Sequence, residues 1–287
     1  MTLVYTILTL SFLGLISALV LFYIARKFHV EEDPRIEMVV DILPGANCGG
    51  CGFAGCRNFA ESLVKADDFS NLFCPVGGNS IMADASKILG KEVVTKDPMV
   101  AVIRCNGTHE FRPKLNNCNG VASCAMEHAL YTGESGCPNG CLGQGDCVSV
   151  CKFGAISMNP ITGLPIVSDE KCTACGACVK SCPRNVIELR KKNNKDRKIY
   201  VSCINTEKGA FAKKYCFVAC IGCSKCAKVC KHDAITIQNN LAYIDSTKCK
   251  LCRACVSECP TKAILEVNFP LRKVKPAIVE EKSAVVL

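Results

Sequence analysis

The chain has 287 residues, no tryptophan, only 6% aromatic residues, and a formal charge of +9. So little aromatic bulk predicts a thin hydrophobic core, and small units of this chain must draw folding free energy from another source. The positive balance suggests an acidic partner. With no nucleic-acid module and no aromatic-interleaved basic motif in the chain, that partner is expected to be a protein rather than nucleic acid.

Leu3 to Ala25 is uncharged and dominated by Leu, Ile, Val, Phe and Ala. As a helix it reaches about 34 Å, enough to cross a hydrocarbon core. Arg26 and Lys27 follow directly, no basic residue precedes the run, and no A-x-A-like site ends it. These features predict a retained membrane anchor over 1–27, in the cell (cytoplasmic) membrane, with its N-terminus outside and the remainder in the cytoplasm. Gly14 and Ala18 have the small-residue spacing that permits close helix packing. No second stretch is long and apolar enough to span, so this chain alone is not expected to carry ions across a membrane.

His29 to Pro34 reads as a short acidic linker, and residues 26–40 are expected to let the following domain shift. That domain, within 28–91, contains Cys48, Cys51, Cys56 and Cys74. The glycines of Pro44–Cys56 let the backbone wrap closely and aim N–H groups inward. A helical stretch from Arg57 to Ala66 separates them from Cys74-Pro75-Val76-Gly77-Gly78.

From about Pro98 the chain repeats itself. Val100–Cys105 and Lys198–Cys203 each read as a strand ending in cysteine. Each leads to another cysteine, Cys124 or Cys216, and then to an eight-cysteine block. Cys147–Ile156 matches Cys226–Ile235, and Cys182-Pro183 matches Cys259-Pro260. Such self-similarity predicts two tandem modules, 98–192 and 198–270. The basic run Arg190–Lys198 between them reads as a solvated linker, or as a docking patch for an acidic carrier. The tail, 271–287, is expected to be extended or disordered.

Twenty of the twenty-five cysteines thus form five sets of four. Runs of the form C-x2-C-x2-C-x3-C suit [4Fe–4S] clusters. Disulfide scaffolds are usually short and secreted, and structural zinc prefers two separated C-x2-C pairs. In two-cluster ferredoxins the fourth cysteine of each run serves the other cluster. That rule groups Cys137, Cys141 and Cys147 with Cys182, and Cys172, Cys175 and Cys178 with Cys151. It likewise groups Cys220, Cys223 and Cys226 with Cys259, and Cys249, Cys252 and Cys255 with Cys230. Five [4Fe–4S] clusters are expected.

The first run is stretched by Leu142–Asp146, and Lys152 and Lys231 stand where the motif usually has proline. Cys105, Cys124, Cys203 and Cys216 are left over; they read either as small buried residues or as an extra metal site. Cys118 has no counterpart. His29, His109, His128 and His232 are scattered and read as surface residues. No dinucleotide fingerprint, phosphate loop or nucleophile elbow appears, so no catalytic residue is assigned. The expected class is α+β: an N-terminal transmembrane helix, a single-cluster domain and two tandem two-cluster ferredoxin-like modules.

One span, then Gly45–Cys56 as G-x-N-C-G-x-C-G-x-x-G-C, then Cys74–Gly78 as C-P-x-G-G, then ferredoxin modules, resembles the B subunit of the Rnf complex, in an extended form with two modules. The likeness covers residues 1 to about 270. It implies a subunit of a membrane-bound, ion-translocating ferredoxin:NAD oxidoreductase. Such a subunit takes electrons from an acidic soluble ferredoxin and relays them to partner subunits, driving Na+ or H+ transport. A ferredoxin-type subunit of a hydrogenase or quinone reductase complex, a redox sensor and a zinc-binding scaffold are the alternatives left by the residues themselves.

Overall fold

The computed structural model describes residues 2–27, 33–92, 95–117 and 119–270. Helix α1 (Thr2–Lys27) is 26 residues long, about 39 Å at 1.5 Å per residue. It is long and apolar enough to cross a membrane, with a mean hydropathy of 2.4 in its most apolar stretch and none of that stretch buried among the described residues. A surface of this kind exposed along its whole length needs a lipid or protein environment.

Three helices, α2 (Pro34–Ile42), α3 (Cys56–Lys65) and α4 (Gly78–Leu89), form the first unit. Asp33 caps α2 by accepting the Arg35 N–H at 2.9 Å, and Pro34 supplies a preset first turn. Hydrogen bonds from the Arg35 side chain and N–H hold the Asp33 carboxyl down at about 2. Ile36, Val39 and Leu43 are buried with Phe59, Leu63, Phe69 and Met82. Residues 34–43 are therefore part of the packed unit, which corrects the reading of 26–40 as a linker: a capped amphipathic helix gains more by burying its apolar stripe than by staying extended. Residues 28–32, including His29, lie outside the described residues.

The remainder is built from two copies of one plan. In the first, β1 (Met99–Ile103) pairs antiparallel with β4 (Ile187–Lys191), Ala101 opposite Leu189. Between them lie α5 (Cys124–Leu130), α6 (Asp146–Ser149), the hairpin β2 (Ile156–Met158) and β3 (Pro165–Val167), and α7 (Ala177–Ser181). In the second, β5 (Lys198–Val201) pairs with β8 (Ile264–Val267). Enclosed are α8 (Gly209–Tyr215), α9 (Lys225–Lys228), the hairpin β6 (Ile235–Gln238) and β7 (Leu241–Ile244), and α10 (Ala254–Glu258). Each copy has its own small aliphatic cluster, into which the cysteines themselves are packed.

The basic run between the copies is neither a solvated linker nor an open docking patch. Arg190 is 3% exposed, bonded to the Ile199 and Ile244 carbonyls and paired with Glu188. Lys191 pairs with Asp97, Lys192 with Asp196, and buried Lys198 with Asp169. A connection this short places Arg190 and Lys198 between two packed sheets, where a buried charge needs an acceptor; Lys195 is exposed. The tail 271–287 lies outside the described residues.

Candidate metal centres

Five small cavities each present four cysteines, and no cysteine lines two of them. In the helical unit the four are Cys48, Cys51, Cys56 and Cys74. The backbone N–H groups of Gly50 and Gly77 point at the Cys48 and Cys74 sulfurs at 3.5 and 3.3 Å. Asn47, held at positive φ, accepts the Cys56 N–H at 2.8 Å and so fixes the loop to the start of α3.

In the second copy one cavity holds Cys220, Cys223, Cys226 and Cys259, and another Cys230, Cys249, Cys252 and Cys255. In the first copy the Cys178 thiol faces those of Cys172, Cys175 and Cys151. Ala101 N–H approaches the Cys172 sulfur at 3.5 Å, and Ala155 N–H that of Cys151 at 3.3 Å.

The remaining two cavities depart from the sequence reading. Cys124 lines one with Cys141, Cys147 and Cys182. Cys137 lines the other with Cys105, Cys203 and Cys216. Cys124 and Cys137 have thus exchanged the places expected of them. The cause is the insertion Leu142–Asp146. Asp146 reaches back to the start of α5, accepting the Cys124 N–H at 2.9 Å, the Ala125 N–H at 3.0 Å and the Ser123 hydroxyl at 3.1 Å. Burial would raise its carboxyl pKa, but these donors outweigh burial and lower it. The tether holds Cys124 beside Cys147. Cys137 is turned the other way, its carbonyl held by Arg184 at 3.0 Å and its sulfur approached by Asn205 at 3.9 Å.

The Cys105/Cys137/Cys203/Cys216 cavity sits between the two copies and takes two cysteines from each. Asn106 N–H bonds the Ser202 carbonyl at 3.1 Å, joining the strand ends that carry Cys105 and Cys203. Cys141 N–H meets the Cys105 sulfur at 3.4 Å on one side, and the Cys220 N–H serves Cys203 on the other. A signal for this cavity was present in the sequence: Cys137-x3-Cys141 has the same spacing as Cys216-x3-Cys220.

The donor set fits a cube better than a single ion. No three of the described His, Cys, Asp and Glu side chains converge closely enough to hold one metal ion, and all twenty-four described cysteines are free thiols. Among the described residues, two buried groups lining the inter-copy cavity, Arg112 Nε and Ser202 Oγ, have no hydrogen-bond partner, and neither has Arg184 Nε beside Cys182. Such orphaned donors suit sulfide or thiolate acceptors at the cavity wall. Burial raises the Cys147, Cys203 and Cys255 thiols to about 12 and Cys216 to about 11. Thiols so resistant to ionisation become thiolates when bound to metal. His109 and His128 are exposed and line none of these cavities; His232 is exposed at the rim of the Cys252 cavity. Cys118 lies outside the described residues.

Three family models match the chain: a putative Fe-S cluster over residues 43–71, a 4Fe-4S binding domain over 165–188 and a 4Fe-4S dicluster domain over 219–263. The chain therefore carries iron–sulfur cofactors. It is 40% identical to the B subunit of the ion-translocating oxidoreductase complex of Methanosarcina acetivorans, across 91% of this chain and 97% of that one. It is 42% identical to the B subunit of the Na+-translocating ferredoxin:NAD+ oxidoreductase complex of Acetobacterium woodii, across 89% and 75%. With the proton-translocating counterpart from Clostridium ljungdahlii the identity is 38%, across 92% of both chains. Likeness at this level along nearly the whole chain, with cysteine-lined cavities to match, places it in one family: the chain belongs to the B subunits of the ion-translocating oxidoreductase (Rnf) complexes.

Proposed function

We propose that this chain is the electron-accepting component of a membrane-bound ferredoxin:NAD oxidoreductase that transports Na+ or H+. In this reading it takes electrons from reduced ferredoxin and passes them to partner subunits. Its folded part lies in the cytoplasm, anchored by α1, whose basic C-terminal flank supports that orientation.

The proposal includes six [4Fe–4S] centres rather than five, with the four-cysteine groups described above as ligands. A [4Fe–4S] cluster, when bound, takes up and releases one electron at a potential set by its surroundings. What the chain contributes is position and shielding. The observation that carries the proposal is the unbroken series of four-cysteine groups. Cys230/Cys249/Cys252/Cys255 and Cys220/Cys223/Cys226/Cys259 share the second copy. Cys105/Cys137/Cys203/Cys216 joins that copy to Cys124/Cys141/Cys147/Cys182 in the first. Cys151/Cys172/Cys175/Cys178 then abuts the helical unit, where a Cβ on Gly50 would lie 2.8 Å from the Cys175 carbonyl oxygen.

Arg112 and Arg184 are buried beside the centre of this series, each bonded to carbonyls of the Cys137–Cys141 loop. Their charges offset the anionic thiolates that the fold packs there. The inter-copy group makes two ferredoxin-like modules into one conductor, and it explains why Cys105 and Cys203 end matching strands.

The test is iron and acid-labile sulfide per chain on anaerobically purified protein, together with bleaching on addition of reduced ferredoxin. About twenty-four irons with matching sulfide and bleaching by ferredoxin are expected. About twenty irons would remove the inter-copy centre, zinc in place of iron would overturn the cofactor assignment, and failure of ferredoxin to bleach the protein would overturn the donor.

A further inference from the structure

The two copies are equivalent in fold but not in what covers them. The loop carrying Cys175 and the loop carrying Cys252 share their backbone twists: Ala174 and Leu251 have φ of 55° and 58°, and Gly176 and Arg253 have φ of 77° and 68°. In the first copy this face is occupied by the helical unit. Gly50 packs on the Cys175 backbone, and Lys152, which follows Cys151, donates to the Asn47 carbonyl at 3.1 Å. Cys175 is accordingly half-buried.

In the second copy no described residue takes that place. Cys252 is exposed, and so is Lys231, which follows Cys230 as Lys152 follows Cys151. Lys250 stands where the first copy has Thr173, and Lys248 corresponds to Lys171. Among the described residues Lys231, Lys248 and Lys250 are exposed and none is in an ion pair within 4.0 Å, Asp245 being the carboxylate that feels the charge of Lys248. Across residues 220–262 there are six exposed lysines against two exposed carboxylates, Asp233 and Glu258. Basic side chains around an exposed cofactor-binding loop set up a field that draws in and orients an acidic protein.

We infer that the face around Cys252, ringed by Lys231, Lys248 and Lys250, is the docking surface for a small acidic electron-carrier protein, occupying in the second copy the place that the helical unit takes on the first. The inference rests on the reading above that reduced ferredoxin is the donor, and it names where on this chain that donor sits. The partner's chemistry is specified by the surface: carboxylates surrounding its own exposed redox centre, meeting lysines that surround Cys252. The contact is electrostatic at its rim and is weakened by salt.

The experiment uses the full-length, detergent-solubilised chain and an oxidised two-cluster clostridial ferredoxin as probe. Affinity is measured by calorimetric titration, and lysine accessibility by acetylation footprinting with and without the probe. Lys248→Glu with Lys250→Glu is expected to weaken binding about tenfold or more. The same charge change at exposed Lys213 and Lys214, on α8, is expected to leave it within about twofold. Lys231, Lys248 and Lys250 should be reactive in the free chain and protected by the probe. Unchanged iron content shows that the variants have folded. Equal affinity of the Lys248/Lys250 variant and the parent would overturn the docking face while leaving ferredoxin as donor. No binding to the parent chain would overturn both. Lysines already protected in the free chain would mean that the face is covered by residues of this chain or by a second copy, and would also overturn the inference.

Discussion

Replacing Asp146 by alanine removes the tether that sets Cys124 beside Cys147. Three donors lose their acceptor: the Cys124 and Ala125 N–H groups and the Ser123 hydroxyl, at 2.9, 3.0 and 3.1 Å. Hydrogen bonds to a carboxylate contribute about 1.5–3 kcal/mol each when buried, but a helix-capping aspartate at a partly exposed site is worth about 1–2 in total. Taking about 2 kcal/mol as the cost of the local change, the population in which α5 swings away from Cys147 rises about 30-fold. The assay is the rate of iron loss to a strong chelator under anaerobic conditions. One class of about four irons in twenty-four should leave about 30-fold faster in Asp146→Ala, and the remainder at the parent rate. Asp146→Asn, which keeps one acceptor oxygen, should fall between. Cys124→Ser should lack that labile class from the outset, whereas Asp146→Ala in a Cys137→Ser background should retain it. The reverse pattern, with the labile class absent in Cys137→Ser and present in Cys124→Ser, would restore the grouping expected from motif spacing and refute the tether.

Cys216→Ala should lower iron by about four per chain and stop electrons supplied to the second copy from reaching the first, observed as bleaching limited to about two clusters; full bleaching would show that the inter-copy cavity is not on the route. Gly50→Ala places a methyl 2.8 Å from the Cys175 carbonyl oxygen and 3.0 Å from the Cys175 Cα and the Pro75 ring, so it should loosen the helical unit from the first copy without changing iron content. Acetylation of Lys152 should rise several-fold, and an unchanged rate would mean that the contact absorbs the methyl. Lys91 donates to the Leu63, Val64 and Ala66 carbonyls at the end of α3; Lys91→Ala should destabilise the helical unit by about 1–2 kcal/mol, read as earlier loss of the Cys48–Cys74 centre on heating. Stripping iron with a chelator under reducing conditions should unfold residues 99–267 as judged by circular dichroism, because metal–thiolate bonds stand in for the absent aromatic core. A chain that keeps its strand signal without iron would contradict that account.

Much of this protein is determined by local sequence. The long apolar helix is legible in Leu3–Ala25 because the cost of a polar residue in lipid is felt residue by residue. The Cys48–Cys56 loop and the C-x2-C-x2-C runs are legible because three donors a few residues apart must face a common centre whatever surrounds them. Two tandem copies follow from matched segments such as Cys147–Ile156 and Cys226–Ile235. What only the tertiary structure decided is which distant cysteine lines each cavity. Motif spacing put Cys137 with Cys141 and Cys147, but a side chain is committed by where its backbone is held, and Asp146 and Arg184 hold Cys124 and Cys137 on opposite sides of the same loop. Likewise the run Arg190–Lys198 looks solvated in sequence, since charge alone does not reveal that two sheets close over Arg190 and Lys198; besides neighbouring Glu188, their partners are Asp169 and the Ile199 and Ile244 carbonyls, remote or on other strands. Spacing specifies short-range geometry. The fourth donor and the partner of a buried charge come from long-range contacts that exist only once the chain has folded.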